Sequence, residues 1–161
     1  MPTTRADIND FLSCRRIALV GVSRNEKDFS RYLLRQLVAR GYDVVPVNPA
    51  AKNVEGLMCF ARVQDIRPGL DAALVMTAAK DTERVVRDCR EAGITRVWMH
   101  RAGGQGAVSE AAVRFCRENK IRLVEGHCPL MFLPRAGFIH FVHGLVLKIS
   151  GRYPAALPSS R

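Results

Sequence analysis

The residues best suited to bind a ligand are Gly21, Val22 and Ser23, which follow a short apolar run. A glycine turn exposes backbone N–H groups, and a helix that starts just after it adds further N–H groups and a dipole that favours an anion. The hydroxyl and basic side chains of this segment are Ser23, Arg24, Lys27, Ser30 and Arg31. The pattern predicts a cradle for a pyrophosphate. The alternative is an ordinary strand-to-helix turn with solvated basic residues.

The motifs of common nucleotide enzymes are missing from the sequence. No Gly-x-Gly-x-x-Gly follows the apolar run, and Asn48-Pro49 stands where a dinucleotide-binding chain carries an acidic residue for the ribose. The lysine-containing phosphate loop of nucleoside triphosphatases is absent as well. These absences argue against a nicotinamide or flavin dinucleotide and against hydrolysis of a nucleoside triphosphate.

A nucleophile is harder to identify. Cys128 lies between His127 and Pro129, and a thiol beside a histidine can form a reactive thiolate. Because adjacent side chains rarely point the same way, a buried structural role is the favoured interpretation of Cys128. The five cysteines include no Cys-x-x-Cys pair, which argues against a disulfide framework and a zinc ribbon. We find no complete catalytic constellation, so we assign no catalytic residue and leave an enzymatic activity open.

Two other groups of residues have weaker claims to a ligand. A metal site would have to combine histidines with Cys128, but the spacing is not diagnostic and we assign no metal. The histidines concerned are His100, His127, His140 and His143. The run Gly103-Gly104-Gln105-Gly106 is either a phosphate-binding nest or a flexible connection.

Strands and helices alternate along the chain. Short apolar runs predict strands, and apolar residues at helical spacing predict the helices between them. The predicted strands are 16–22, 42–47, 57–61, 71–77, 94–99 and 121–125. The predicted helices are 5–13, 28–40, 81–92 and one that Ser109 caps. This alternation predicts a single α/β domain with a Rossmann-like, doubly wound parallel sheet in the order 3-2-1-4-5-6.

The predicted sheet order also predicts where a ligand binds. In open sheets of this kind, ligands bind beyond the carboxyl ends of the strands, at the point where the strand order reverses, which is called the switch point. Here that point lies between the strands that end at Val22 and Thr77. The turn at Gly21 is therefore at the expected site.

Length and composition limit the remaining possibilities. The 161 residues suit one domain, 1–153, with a frayed tail at 154–161. Apolar residues between 138 and 149 predict an amphipathic helix within 128–150, covered by the sheet or by a second copy in a homodimer. Since this stretch is too short and too polar to span a bilayer and the N-terminus lacks a secretory signal, we expect a cytoplasmic protein without membrane association.

Six short motifs, in this order and spacing, resemble the CoA-binding domain proteins akin to the CoA-binding part of the succinyl-CoA synthetase alpha subunit. They are Ile-Ala-Leu-Val-Gly-Val-Ser23, Val-Val-Pro-Val-Asn-Pro49, Glu55-Gly-Leu57, Ala73-Leu-Val-Met-Thr77, Val97-Trp-Met-His100 and Glu125-Gly-His-Cys-Pro129. The resemblance covers residues 5–150. It implies a site for coenzyme A or an acyl-CoA, with the phosphates at Gly21–Ser23 and the start of the following helix.

The same resemblance implies positions for the adenine-ribose end of the ligand. These are Val47, Asn48, Pro49, Met76 and Thr77. The synthetase carries its phosphorylatable histidine in a separate ligase domain, for which this chain has no length. The resemblance therefore implies binding and does not extend to ligase catalysis.

Three functions stay open from the sequence. The first is a non-catalytic module that binds CoA or an acyl-CoA. The second is a basic scaffold for nucleic acid or an acidic protein partner, because the net charge of +10 favours anionic partners without choosing among them. The third is a small acyl-CoA-dependent enzyme.

Overall fold

The computed structural model describes residues 3–101, 104 and 106–133, which contain four α-helices and seven strands. The helices are α1 (Arg5–Leu12), α2 (Phe29–Val38), α3 (Ala79–Glu91) and α4 (Glu110–Glu118). The strands are β1 (Arg16–Val20), β2 (Asp43–Val47), β3 (Asn53–Val54), β4 (Leu57–Met58), β5 (Ala72–Val75), β6 (Arg96–His100) and β7 (Arg122–His127). The elements follow the predicted order along the chain.

Five strands form a parallel sheet in the order β2-β1-β5-β6-β7. The register places Val20 of β1 beside Val47 of β2 and Val75 of β5. It also places Val75 beside Met99 of β6. The carboxyl ends of these strands are therefore level, and the order reverses between β1 and β5. The Rossmann-like class and the position of the switch point are confirmed.

Helices pack on both faces of the sheet, which makes it doubly wound. On one face, α1 and α2 contribute Ile8, Phe11, Leu33, Leu34 and Leu37 to a core that contains Trp98 of β6. On the other, α3 and α4 pack Val86 and Cys116 against Val97. Because residues buried on both faces favour continuous apolar strands, this architecture explains the runs seen in the sequence.

Local signals fix where the helices begin. Thr4 and Asp7 form a reciprocal capping box at the start of α1, and Ser109 caps α4 by accepting a hydrogen bond from the N–H of Ala112. At α2 the cap is Asp28, whose carboxylate accepts from the N–H of Ser30. The predicted cap at Ser109 is confirmed.

The prediction for the third strand, 57–61, was wrong in extent and placement. Only Leu57–Met58 is a strand, and it pairs antiparallel with Asn53–Val54 in a separate two-stranded hairpin. Of the predicted segment, Phe60 alone bridges the outer edge of the large sheet, beside Val47. The carbonyl of Pro46 in β2 accepts from Phe60 on this edge, but a proline has no N–H to extend the ladder. The large sheet therefore has five strands instead of six.

The predicted C-terminal helix within 128–150 lies mostly outside the described residues. Of it, the structure describes a single 3₁₀ turn, Pro129–Met131, and the residues up to Leu133. None of the helices in the described part of the chain has the length and apolar character needed to cross a bilayer.

Candidate functional site

The switch point depends on Gly21, where the ends of β1 and β5 approach each other closely. Gly21 has a φ of +88°, and a Cβ at this position would lie 2.8 Å from the backbone nitrogen of Thr77. The N–H of Gly21 donates to the carbonyl of Val47 at 2.9 Å, and that of Met76 donates to Val20 at 2.8 Å. Only glycine fits both the positive φ and this close approach.

A pocket of about 300 Å³ opens beside this close approach, on the face of the sheet that α3 covers. Its floor is apolar, from Val20, Val47, Val63 and Val85. Its rim is more polar. The residues that complete its lining are Gly21, Pro49, Ala61, Arg62, Thr77, Arg84 and Asp88. An apolar floor with a few polar rim groups is typical of a site for a small molecule.

Four of the site residues predicted from the sequence line this pocket. They are Gly21, Val47, Pro49 and Thr77. Asn48 does not line it and instead supports the turn, because its Nδ2 donates to the carbonyl of Val22 at 2.7 Å. Its Oδ1 accepts from the N–H of Ala50 at 2.8 Å. Met76 packs half-buried against the core on the opposite face.

The remaining predicted residues lie on the α2 side of the switch point, where side chains close the turn. The hydroxyl of Ser30 donates to Asp28 at 2.5 Å and accepts from the N–H of Ser23 at 2.9 Å. The hydroxyl of Ser23 accepts from the N–H of Asn25 at 3.1 Å. Both serine hydroxyls therefore already take part in the protein's own hydrogen bonds.

Arg31 is buried and holds this turn together from within. Its Nε donates to Oε1 of Glu55 at 2.7 Å, and its Nη1 contacts the carbonyls of Ser23 and Arg24 at 3.3 and 3.4 Å. The same Glu55 oxygen accepts from Arg35 at 2.7 Å. Hydrogen bonds lower the pKa of Glu55, and the bond from Arg31 has a larger effect than the bond from Arg35. Arg31 thus links the turn to the β3–β4 hairpin.

Two cations of the predicted cradle stay in solvent. Arg24 and Lys27 are exposed, and Lys27 has its N–H held by the side chain of Asn25 at 3.0 Å. Both lie within the turn that precedes α2. They add positive charge near the switch point.

Sequence reasoning missed one wall of the pocket. Ala61, Arg62 and Val63 come from the segment after the hairpin, and Arg84, Val85 and Asp88 come from one face of α3. Arg62 pairs with Asp88 at 3.2 Å, and Nε2 of Gln64 donates to the same carboxylate at 2.8 Å. The spacing of residues 84, 85 and 88 on a helix that starts at the switch point was the signal that would have found this wall.

Burial shapes the chemistry of the other polar residues that the sequence singled out in the described part of the chain. Burial raises the pKa of the Cys128 thiol to about 11, which works against a thiolate. Burial, followed by the charge of Arg101, lowers the pKa of His127. Within the described residues, no three histidine, cysteine or acidic side chains are grouped as metal ligands, and His140 and His143 lie outside that part.

The glycine-rich run after β6 is described only at Gly104 and Gly106. Gly106 has a φ of +56°, and a Cβ there would lie 2.6 Å from the carbonyl oxygen of His100. That carbonyl accepts from the N–H of Ala107 at 2.9 Å. The end of the run therefore folds back tightly over β6.

Comparison with known proteins identifies the family of this chain. The family profile described as "CoA binding domain" matches residues 15–134. An uncharacterized Bacillus subtilis protein, YneT, is 24% identical over 126 residues, which is 78% of this chain and 90% of that protein. The alpha subunit of an ADP-forming acetate–CoA ligase II from Pyrococcus furiosus is 28% identical over 94 residues, or 58% of this chain. The match spans only 21% of that subunit.

A solved structure has the same architecture over most of its length. A hypothetical protein from Pyrococcus horikoshii superposes with a TM-score of 0.73 at 27% identity. The match covers 80% of this chain and 91% of that one.

Proposed function

Because this chain belongs to the CoA binding domain family, we propose that it binds coenzyme A or an acyl-CoA at the switch point, as a non-catalytic module. The observation that carries the proposal is the pocket of about 300 Å³ beside Gly21. It lies where ligands bind in open parallel sheets, and its apolar floor suits an adenine ring. Arg62 and Arg84 on its rim provide charge for the phosphates of the ligand.

The proposal places the adenosine end in the pocket and the phosphates over the turn that begins at Gly21. Helices α2 and α3 leave the switch point toward opposite faces of the sheet, so a crevice runs across the sheet edge between them. Exposed Arg24 and Lys27 border this crevice near the start of α2. A ligand crossing the edge passes from the pocket to these two cations.

The direct test is isothermal titration with CoA, acetyl-CoA, NAD and ATP, each at low and at moderate salt. We expect the two CoA compounds to bind more tightly than NAD and ATP, and this preference to survive moderate salt. Electrostatic binding of nucleic acid or another polyanion falls steeply with salt and does not select CoA. Weak binding of all four, abolished by salt, would replace the proposal with the basic-scaffold function.

A pocket-filling variant locates the site. Ala61 is exposed and lines the pocket, so Ala61→Trp places a large ring in it with little effect on the core. We expect CoA affinity to fall by about tenfold or more, equal to about 1.4 kcal/mol. Ala39→Trp is the matched control, because Ala39 is exposed at the far end of α2. Equal affinities of the two variants would show that CoA binds outside this pocket.

A further inference from the structure

His100 has an unused hydrogen-bonding group at the edge of the sheet where the proposed ligand crosses. The residue is 7% exposed, and among the described residues its Nε2 is buried without a hydrogen-bond partner. A buried polar group without a partner costs stability, and natural structures contain few of them. Such a group in a binding region is best explained by a partner that arrives with the ligand.

The strand register fixes the position of His100 relative to the switch point. Val20, Val75 and Met99 are aligned across β1, β5 and β6, so Gly21, Met76 and His100 follow at the same level. Neighbouring strands are about 4.8 Å apart, which places the end of β6 about 10 Å from the end of β1. His100 is therefore two strands away from the turn over which the phosphates are proposed to lie.

Its side chain lies on the face opposite the pocket. His100 alternates with Met99 along β6 and so shares a face with Trp98, in the core under α1 and α2. The ring of Phe29, in the first turn of α2, stacks on the imidazole with centroids 5.4 Å apart and an interplanar angle of 28°. This places His100 on the far side of the crevice, beyond the start of α2.

We propose that His100 hydrogen-bonds the uncharged arm of the bound CoA, through an amide or hydroxyl of the pantetheine or the carbonyl of an acyl thioester. The inference rests on the proposed function. A ligand with its adenosine in the pocket and its phosphates over Gly21 extends its arm toward the α2 face, where His100 lies. Burial lowers the pKa of His100 to about 4, so the imidazole is neutral near pH 7 and suits an uncharged partner. Phe29, which is half-buried, has to shift its ring when the arm enters.

The test compares CoA with adenosine 3′,5′-bisphosphate, which lacks the pantetheine arm. In His100→Leu we expect CoA affinity to fall about tenfold, the size of one lost hydrogen bond in a desolvated site. Affinity for the bisphosphate stays within about twofold, since nothing in that molecule reaches His100. His100→Gln retains a donor and an acceptor, and we expect it to keep most of the CoA affinity.

Thermal unfolding separates this role from a structural one. Without ligand, His100→Leu is expected to melt at the same temperature as the wild type or higher, because it removes a buried polar group without a partner. A lower melting temperature with unchanged CoA affinity would show that His100 is structural and overturn the inference. An equal loss for both ligands would overturn it as well.

A measurement on the unmodified protein avoids dependence on the variants. The ¹⁵N resonances of the His100 imidazole should shift on addition of CoA and stay unchanged on addition of the bisphosphate. If the bisphosphate and CoA both bind while the imidazole signals do not move, the inference fails and the proposed function stands. If neither ligand binds the wild type, the proposed function fails, and this inference fails with it.

Discussion

Helices α2 and α3 start on either side of the same switch point, but their first turns differ in how their backbone N–H groups are used. At α2, the carboxylate of Asp28 accepts from the N–H and the hydroxyl of Ser30. At α3, the cap position is Ala78, which makes no side-chain cap hydrogen bond. The pocket opens on the α3 side, where Thr77 and Arg84 line it.

This difference separates the part of the site that builds the turn from the part that is open to a ligand. On the α2 side, Ser23, Ser30 and Arg31 make hydrogen bonds that fix the chain after Gly21. On the α3 side, the helix start has no side-chain cap, and the pocket is lined by Thr77 before it and by Arg84 of the helix. Polar residues beside a binding site can therefore serve the fold more than the ligand.

The largest effect is expected where the two sides meet, at Gly21. Gly21→Ala combines a positive φ with a Cβ 2.8 Å from the backbone of Thr77, and we expect a loss of about 3 kcal/mol or more in unfolding free energy. Gly41→Ala is the matched control, because Gly41 has a φ of +83° with nothing within 4 Å of the added Cβ. Gly41→Ala should lower the unfolding free energy by about 1 kcal/mol. Urea denaturation measures both, and equal losses would show that the close approach has no energetic effect.

The next largest effect is a loss of stability in acid. It concerns His100, which lies on the α2 side but has a buried nitrogen without a hydrogen-bond partner among the described residues. Its folded pKa is about 4 against 6.5 in a free histidine, so the unfolded chain binds a proton first as the pH falls. The contribution of the neutral His100 imidazole to the unfolding free energy is therefore complete above pH 6.5 and is lost as the pH drops toward 4. Between pH 6.5 and 5 we expect the unfolding free energy to fall by an amount on the order of 2 kcal/mol.

The comparison of wild type with His100→Leu isolates this effect, because His127, whose pKa is also lowered, is present in both. Urea denaturation at pH 6.5 and pH 5 should give a smaller difference for the variant. The same pH dependence in both proteins would mean that the imidazole of His100 is not protected from protonation in the folded state.

The smallest effect tests whether the α2 side is a structural support. Arg31 and Arg35 donate to the same oxygen of Glu55, but the side chain of Arg31 is 9% exposed and that of Arg35 is 47% exposed. Arg31→Met should lower the unfolding free energy by about 1–2 kcal/mol, because the carbonyls of Ser23 and Arg24 lose a donor. Arg35→Met should change it by less than about 0.5 kcal/mol.

Ligand binding completes this last test. If Arg31→Met abolished CoA binding without changing stability, Arg31 would be a direct phosphate ligand and the division between the two sides would be wrong. If it lowered stability and weakened CoA binding only modestly, the turn would be confirmed as a scaffold.

Much of the fold was predictable because its signals are local. The apolar run before Gly21, the helical spacing after it and the cap at Ser109 each depend on residues close together in the sequence. The alternation of these elements was sufficient to predict a parallel sheet and the position of its switch point. The third strand was the exception, since Pro46 removes an edge donor and the following hairpin pairs with itself.

The roles of individual side chains were decided by contacts between distant segments. Arg31 had the sequence context of a phosphate ligand, yet its partner is Glu55, 24 residues away on a hairpin turn. The wall formed by Arg62 and Arg84 likewise comes from two segments that meet only after the sheet has formed. Periodicity and caps determined by themselves most of the elements that form and where the strand order reverses. Only the tertiary structure decided which polar groups bind the chain itself and which stay open, because that depends on the neighbour each side chain meets when the elements pack.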